Sequence, residues 1–292
     1  MPDTSDKMAR RLERVRGLPS LPEVLSLLEQ VLADEMASAS DVAEVLRDDP
    51  AVTTRLLAIA NSALYAGRHS RNCDSVGEAV ARIGFSQVRQ ICLSLSVVNM
   101  FPSEGSSLDH KAFWRHSLFV ANAARLLAER SPTKNLVGDN AHFTSGLLHD
   151  IGELVLDQFF HEDFVRARAL AKLQQIPVSQ AERQVLDADH SLVGKEIALM
   201  WRLPENTASG ICYHENPESA PEVHRDLARR IYVADVFSET HDMGNVGNEV
   251  EAQLDPGVVD ALGLTVGEIN DVLEGAISAT EQSTLASEIQ CI

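Results

Sequence analysis

What most constrains the fold of this chain is a rhythm. Apolar residues return every three or four positions along most of its length, and no segment sustains the alternation of a half-buried strand. In LPSLPEVLSLLEQVL the residues Val24, Leu27, Leu28, Val31 and Leu32 recur at helical spacing behind two prolines suited to a helix entrance. Asp49-Pro50 reads as a second start, a capping carboxylate followed by proline at the first helical position. That helix carries Val52, Leu56, Leu57, Ala60 and Leu64 on one face and ends near Gly67. Ser40 or Asp41 is placed to cap a shorter helix with Val42, Val45 and Leu46. Ser75-x-x-Glu78 is a capping box for another, which Gly84 is suited to end. Ser86 starts QVRQICLSLSVVNMF, which reads as a buried helix. Short helices joined by brief turns predict an all-α multi-helix bundle. Composition agrees, since aromatics are only 5% of a chain rich in Ala, Leu, Val and Glu.

The punctuation divides the chain. A charged lead-in (1–17) precedes an N-terminal helical half (18–101). The Ser-, Gly- and Pro-rich FPSEGSSLD, Phe101 to Asp109, marks the boundary to a helical core (109–241). There the helices are expected over roughly 111–130, 140–160, 162–174, 179–201 with a break near Asp189, 204–214 and 222–241. Ser179-x-x-Glu182 reads as a third capping box. The turn-rich His241 to Asn248 leads into a tail (249–292) with one helix, Thr265 to Ala279.

Other classes fall away on charge and spacing. A net charge of −18 opposes binding to a phosphate backbone, so no nucleic-acid partner is expected. The four cysteines stand far apart with no CxxC, which disfavours a disulfide framework or a thiolate zinc site. The N-terminus has no signal-peptide core and no apolar stretch is long enough to cross a bilayer, so the expected location is cytoplasmic, away from membranes.

Within this apolar background a few polar residues are out of place. In AHFTSGLLHDIGELVLDQFF, Ala141 to Phe160, His149 and Asp150 sit side by side in a helical-looking run. They lie about 100° apart around a helix, so both can lean toward one point. A buried carboxylate is costly unless it is paired, hydrogen-bonded or metal-bound, so the pair is either a metal site or a polar knot. His116 shares a face with Val120, Ala123, Ala124 and Leu127, and His190 with Val193, Gly194, Ile197 and Trp201. His214 follows Ile211 by three residues and Thr207 by seven, while Asp235 falls with Leu227, Ile231, Ala234 and Ser238. Facing helices that each offer an imidazole or a carboxylate are how bundles build metal sites. Such donors suit zinc, iron, manganese and nickel rather than a metal that demands thiolates.

The chain resembles the HDOD family of the HD-domain superfamily. The matching segments are LPSLPEVLSLLEQ, RDDPAVTTRLLAIANSALYAG and VGEAVARIGFSQVRQICLSLSVVNMF, then FWRHS, GLLHDIGELVL, DHSLVGKEIALMWRLPENTASGICYHEN and IYVADVFSE. The resemblance implies an N-terminal helical half packed on an HD-type helical core, and a regulatory output role in bacterial signalling. Many HDOD domains have lost the superfamily's metal ligands. Here His116, His149-Asp150 and Asp235 fill the H…HD…D positions, while His190 and His214 fall where HD-GYP phosphodiesterases carry further ligands.

Two functions follow as expectations. The first is a signalling module holding one or two divalent transition ions (Fe, Mn or Zn). His116, His149, Asp150 and Asp235 would bind the first, and Asp150 with His190 and His214 the second. A signalling partner would contact the N-terminal half around Asn61-Ser62-Ala63, and a nucleotide is a possible ligand. The second is a metal-dependent phosphohydrolase acting on a cyclic nucleotide or dinucleotide, with Asp150 the candidate catalytic residue. Against it, the HD-GYP lysine is replaced by Glu153, a charge that would repel phosphate. The paired HH reads Tyr213-His214, and the GYP segment is missing. Arg115 or Lys195 is the candidate substitute for the lysine.

Overall fold

The structure, a computed structural model, describes residues 12, 27–28, 31, 37–46, 49–61, 73–133, 137, 139–241, 243–244 and 253–281. Most of the Leu18 to Leu32 run, the pair Ser62-Ala63, Gly67 and His69 lie outside the described residues. Every regular element among the described residues is helical, as the apolar rhythm predicts. The chain divides into two compact units, Pro19–Pro102 and Ser103–Thr280.

The first unit holds α1 (Ala39–Leu46), α2 (Pro50–Ala60), α3 (Val76–Ile83) and α4 (Phe85–Met100). Its helices start where capping chemistry places them. Asp49 accepts a hydrogen bond from Val52 N at 3.0 Å with Pro50 at the first helical position, and Ser75 Oγ accepts from Glu78 N at 3.2 Å. At α1 the capping residue is Ser38 rather than Ser40 or Asp41; Asp41 reaches back to take Ser38 N at 2.7 Å. Gly84, at φ +90°, ends α3 and opens α4 without a spacer. Asn61 is committed inside this unit, since its amide exchanges two bonds of 2.7 Å with the backbone of Cys73.

The second unit contains the out-of-place polar residues. It runs α5 (His110–Arg130), α6 (Asp139–Leu148), α7 (Ile151–Phe159), α8 (His161–Gln174), α9 (Val178–Leu186), α10 (His190–Met200), α11 (Glu205–Tyr213), a short 3-10 turn (Pro217–Ser219), α12 (Glu222–Thr240), α13 (Pro256–Ala261) and α14 (Val266–Glu281). Its core clusters Phe119, Val120, Ala123, Ala124 and Leu127 of α5 with Leu227, Ile231, Ala234 and Phe237 of α12. Val258, Val259, Leu262, Ile269, Leu273 and Ala276 from α13 and α14 join the same cluster, so the tail helices are part of this core. Burying each large apolar side chain is worth about 1.5–3 kcal/mol, so this cluster holds α5 against α12.

The run Ala141 to Phe160 is not the single helix expected. It is two helices, α6 and α7, and His149 and Asp150 are the junction between them. Asp150 leaves helical geometry at φ −99°, ψ 11°, and Glu153 N bonds its carbonyl at 2.9 Å to begin α7. The break redirects α7 against α10, and Asp157, buried on α7, is tied to the loop before α5 through Ser107 N at 2.9 Å and Ser107 Oγ at 2.6 Å.

Candidate metal centre

Two glycines allow the close helix packing on which the centre depends. A Cβ on Gly146 of α6 would stand 2.7 Å from Ala121 Cα of α5. A Cβ on Gly152 of α7 would stand 2.0 Å from the carbonyl oxygen of His190 on α10. Only hydrogen fits at either point. These contacts bring His116 (α5), the His149-Asp150 junction, His190 (first residue of α10), His214 (end of α11) and Asp235 (α12) into one place.

All four imidazoles point an Nε2 inward. His116 Nε2 stands 3.0 Å from His149 Nε2, 3.4 Å from Asp150 Oδ2 and 3.2 Å from Asp235 Oδ1. His149 Nε2 is 3.1 Å from Asp150 Oδ2 and 3.5 Å from Asp235 Oδ1. The other oxygen of Asp150 faces the second pair: Oδ1 is 3.4 Å from His214 Nε2 and 3.6 Å from His190 Nε2. Asp150 therefore lies between two donor groups, one with His116 and His149, the other with His190 and His214.

The outer ring nitrogens are all engaged. His116 Nδ1 bonds Ser238 Oγ at 2.8 Å, His149 Nδ1 bonds Gly146 O at 2.8 Å, and His214 Nδ1 bonds Ile211 O at 2.7 Å. A carbonyl can only accept, so His149 and His214 carry a proton on Nδ1, and in the neutral ring the lone pair is left at Nε2, as in metal-binding imidazoles.

The partner of His190 Nδ1 was not foreseen. Ser179-x-x-Glu182 is no capping box: α9 begins at Val178 behind Pro177, and no side chain caps it. Glu182 is instead fully buried, and its Oε2 accepts from both the backbone N and the Nδ1 of His190, each at 2.8 Å. The signal was available in the spacing. Glu182 falls midway between Val178 and Leu186, four residues from each, on the buried face of α9.

Burial alone would push the imidazoliums toward neutrality. At His116 the carboxylates of Asp150 and Asp235 outweigh it and hold the group up at about 9. His149 and His190 are likewise raised well above the ordinary range, His149 by Asp150 and Asp235, His190 chiefly by Glu182. For Asp150 and Asp235 burial acts upward, but the surrounding imidazoles dominate and hold both carboxyls below their usual range. Glu153 behaves in the opposite way. It is 3% exposed, and burial, with Asp150 and Glu182 adding to it, pushes its carboxyl up to about 8. The acid expected to repel phosphate at this position is a buried group that keeps its proton at neutral pH in the metal-free fold.

The donors fit a metal. Two atoms each about 2.1 Å from one ion stand no farther apart than about 4.2 Å. The distances from His116 and His149 to their carboxylates, and from His190 and His214 to Asp150, run from 3.1 to 3.6 Å. Imidazole and carboxylate in this mixture suit divalent manganese, iron or zinc.

Beside the centre lies a pocket of about 490 Å³, whose wall includes Arg183, Glu215, Tyr232, Asp235, Val236 and Glu239. Neither Arg115 nor Lys195 lines it. Among the described residues Arg183 is the basic one that does, and it is ion-paired with Asp189, which caps α10 through Leu192 N at 2.8 Å.

The sequence pattern of the HDOD domain matches residues 18–217. Among curated proteins, an uncharacterised protein of Treponema pallidum (strain Nichols) is 25% identical over 233 residues. That match takes in 80% of this chain but 44% of the relative, so the chain spans less than half the relative's length. Among solved structures, an HDOD domain protein of unknown function from Geobacter sulfurreducens is 24% identical with a TM-score of 0.80, covering 98% of this chain and 97% of that one. A protein of Marinobacter aquaeolei VT8, provisionally named a signal transduction protein, is 23% identical with a TM-score of 0.81, covering 99% of this chain and 65% of its own. One from Shewanella amazonensis SB2B, provisionally named a phosphohydrolase, is 23% identical with a TM-score of 0.64, covering 93% and 97%. At these identities the likeness to the solved structures is one of fold.

Proposed function

The chain belongs to the HDOD domain family, and we propose that it is a regulatory module of signal transduction whose HD-type centre holds one or two divalent transition ions. His116, His149, Asp150 and Asp235 hold the first ion; Asp150, His190 and His214 hold the second. A bound ion supplies fixed positive charge and Lewis acidity. The residues around it keep the donors aimed: Ser238, Gly146, Ile211 and Glu182 fix the four rings.

The observation that carries a regulatory role over a hydrolytic one is the charge of the pocket. Among its described residues the wall offers Glu215 and Glu239 beside Asp235, itself a ligand of the first ion, and the guanidinium there, Arg183, is already engaged by Asp189. Phosphoryl chemistry needs cations or oriented donors aimed at the developing charge. Among the described residues this wall offers mainly acceptors. Metal occupancy is then read out through a protein partner or a nucleotide ligand.

The phosphohydrolase reading keeps one supporting observation, the opening of the pocket directly onto the ligand Asp235. One experiment separates the two. Protein purified without oxygen should carry one or two ions per chain by elemental analysis, and the Asp150→Ala variant should carry fewer. Neither should hydrolyse cyclic nucleotides or cyclic dinucleotides; turnover by the wild type that vanishes in Asp150→Ala would establish the enzyme instead.

A further inference from the structure

The second donor group is short of a ligand. Asp150 Oδ1, His190 Nε2 and His214 Nε2 supply three atoms, and Asp150 is shared with the first group. Two neutral imidazoles and part of one carboxylate leave a divalent ion with little compensating charge. Asp150, His190 and His214 are buried, and uncompensated charge among buried groups is costly.

Glu215 approaches this group from the side of His190. It follows His214 where the chain leaves α11, and its Oε1 stands 3.9 Å from His190 Nε2, within the span that two ligands of one ion can have. Its carboxylate has no other hydrogen-bond or ion-pair partner among the described residues. That sets it apart from Glu182, whose Oε2 is spent on His190 N and Nδ1 and which orients the ring from behind. The two acids thus approach opposite nitrogens of the same imidazole. Glu182 takes the outer one, and Glu215 lies beside the one that faces Asp150.

We infer that Glu215 is the fourth protein ligand of the second ion, completing an Asp150, His190, His214, Glu215 set that reaches the pocket through Glu215. The inference rests on the two-ion reading above and goes beyond it. With two imidazoles and two carboxylates, the site takes manganese, ferrous iron or zinc rather than a thiophilic metal. Because Glu215 lines the pocket, a molecule bound there meets the second ion's own ligand, with Asp235 of the first ion on the same wall.

The test is a metal titration of the full chain. Metal-free wild type, Glu215→Gln, and His190→Ala as a reference for losing the second ion are titrated with Mn²⁺ by calorimetry. Bound manganese is counted after desalting, and electron paramagnetic resonance distinguishes a coupled ion pair from an isolated ion. Wild type should bind two ions with a coupled signal. Glu215→Gln, which keeps size and hydrogen bonding, should keep one ion, bind the second at least about tenfold more weakly and lose the coupling. If Glu215→Gln binds two ions as tightly as wild type while His190→Ala binds one, Glu215 is no ligand and the two-ion centre stands. If wild type binds no more than one ion, the two-ion reading fails and this inference with it.

Discussion

Each ring at the centre has one nitrogen fixed and the other aimed inward, and this division of labour explains which residues were legible in advance. His116, His149, Asp150, His190, His214 and Asp235 stand out because a titratable group on an apolar helix face contradicts its neighbours. Glu182 breaks the same rule but was hidden by the resemblance of Ser179-x-x-Glu182 to a cap. Glu153 is legible as an acid at the lysine's place, but spacing reports which face a residue takes and not what burial does to its proton. Its sign can be tested. An ordinary Glu releases its proton near 4.5, whereas the folded metal-free protein keeps this one to about 8. The unfolded chain therefore sheds a proton that the native state holds, and Glu153 costs stability progressively as pH rises between those values. Metal-free Glu153→Gln should match wild type near pH 4 and exceed it by about 1–3 kcal/mol at pH 8–9 in denaturant unfolding. Wild type proving the more stable at pH 8–9 would mean that the carboxylate is ionised and well paired.

At the scale of elements, the helix starts that depend on one local bond were readable. Asp49-Pro50 and Ser75-x-x-Glu78 behave as their chemistry predicts, and the break near Asp189 falls between α9 and α10. The break at His149-Asp150 was not readable, because the apolar rhythm runs through it without proline or a turn cluster. What makes it necessary is tertiary: α7 must approach the start of α10 closely enough for one Asp150 oxygen to face His190. Gly152 allows that approach, so its replacement is a specific probe. In Gly152→Ala the new methyl meets the rigid carbonyl of His190 at 2.0 Å. In Gly194→Ala it meets Ile211 Cγ2 at 2.7 Å, the end of a side chain that can turn aside. Gly152→Ala should lose about 1–3 kcal/mol of stability and weaken metal binding at His190 and His214 more than at His116 and His149. Gly194→Ala should do less of both. Equal effects in unfolding and metal titration would show that the α7–α10 contact is not what sets the second group.

For the whole molecule, the apolar rhythm foretold a helical protein, and the order of its segments pointed to the family. They could not show that α13 and α14 belong to the core, because a short amphipathic tail reads the same packed or free. Nor do they convey what the metal-free state costs, which follows from adding the groups of the centre together. His116 is ordinarily half-protonated at 6.5 but is held at about 9 in the fold, so its contribution is complete below 6.5 and lost as pH climbs through 9. His149 and His190, raised in the same direction, behave alike, and the growing cost of Glu153 adds to the loss. Metal binding depends on pH in the opposite sense. His116, His149 and His190 must each give up a proton before Nε2 can bind an ion, so affinity rises over the range in which the metal-free fold weakens. An ion that binds only the folded state stabilises it by RT ln(1 + [M]/Kd), a quantity that grows as Kd falls. The difference in melting temperature between reloaded and metal-free protein should therefore be small at pH 6 and widen steadily toward pH 8.5. Replacing Asp150 with Ala should flatten it at every pH, because that side chain serves both donor groups. A difference that is constant with pH would mean the imidazoles are already neutral without metal, and that the carboxylates around them do not govern their protonation.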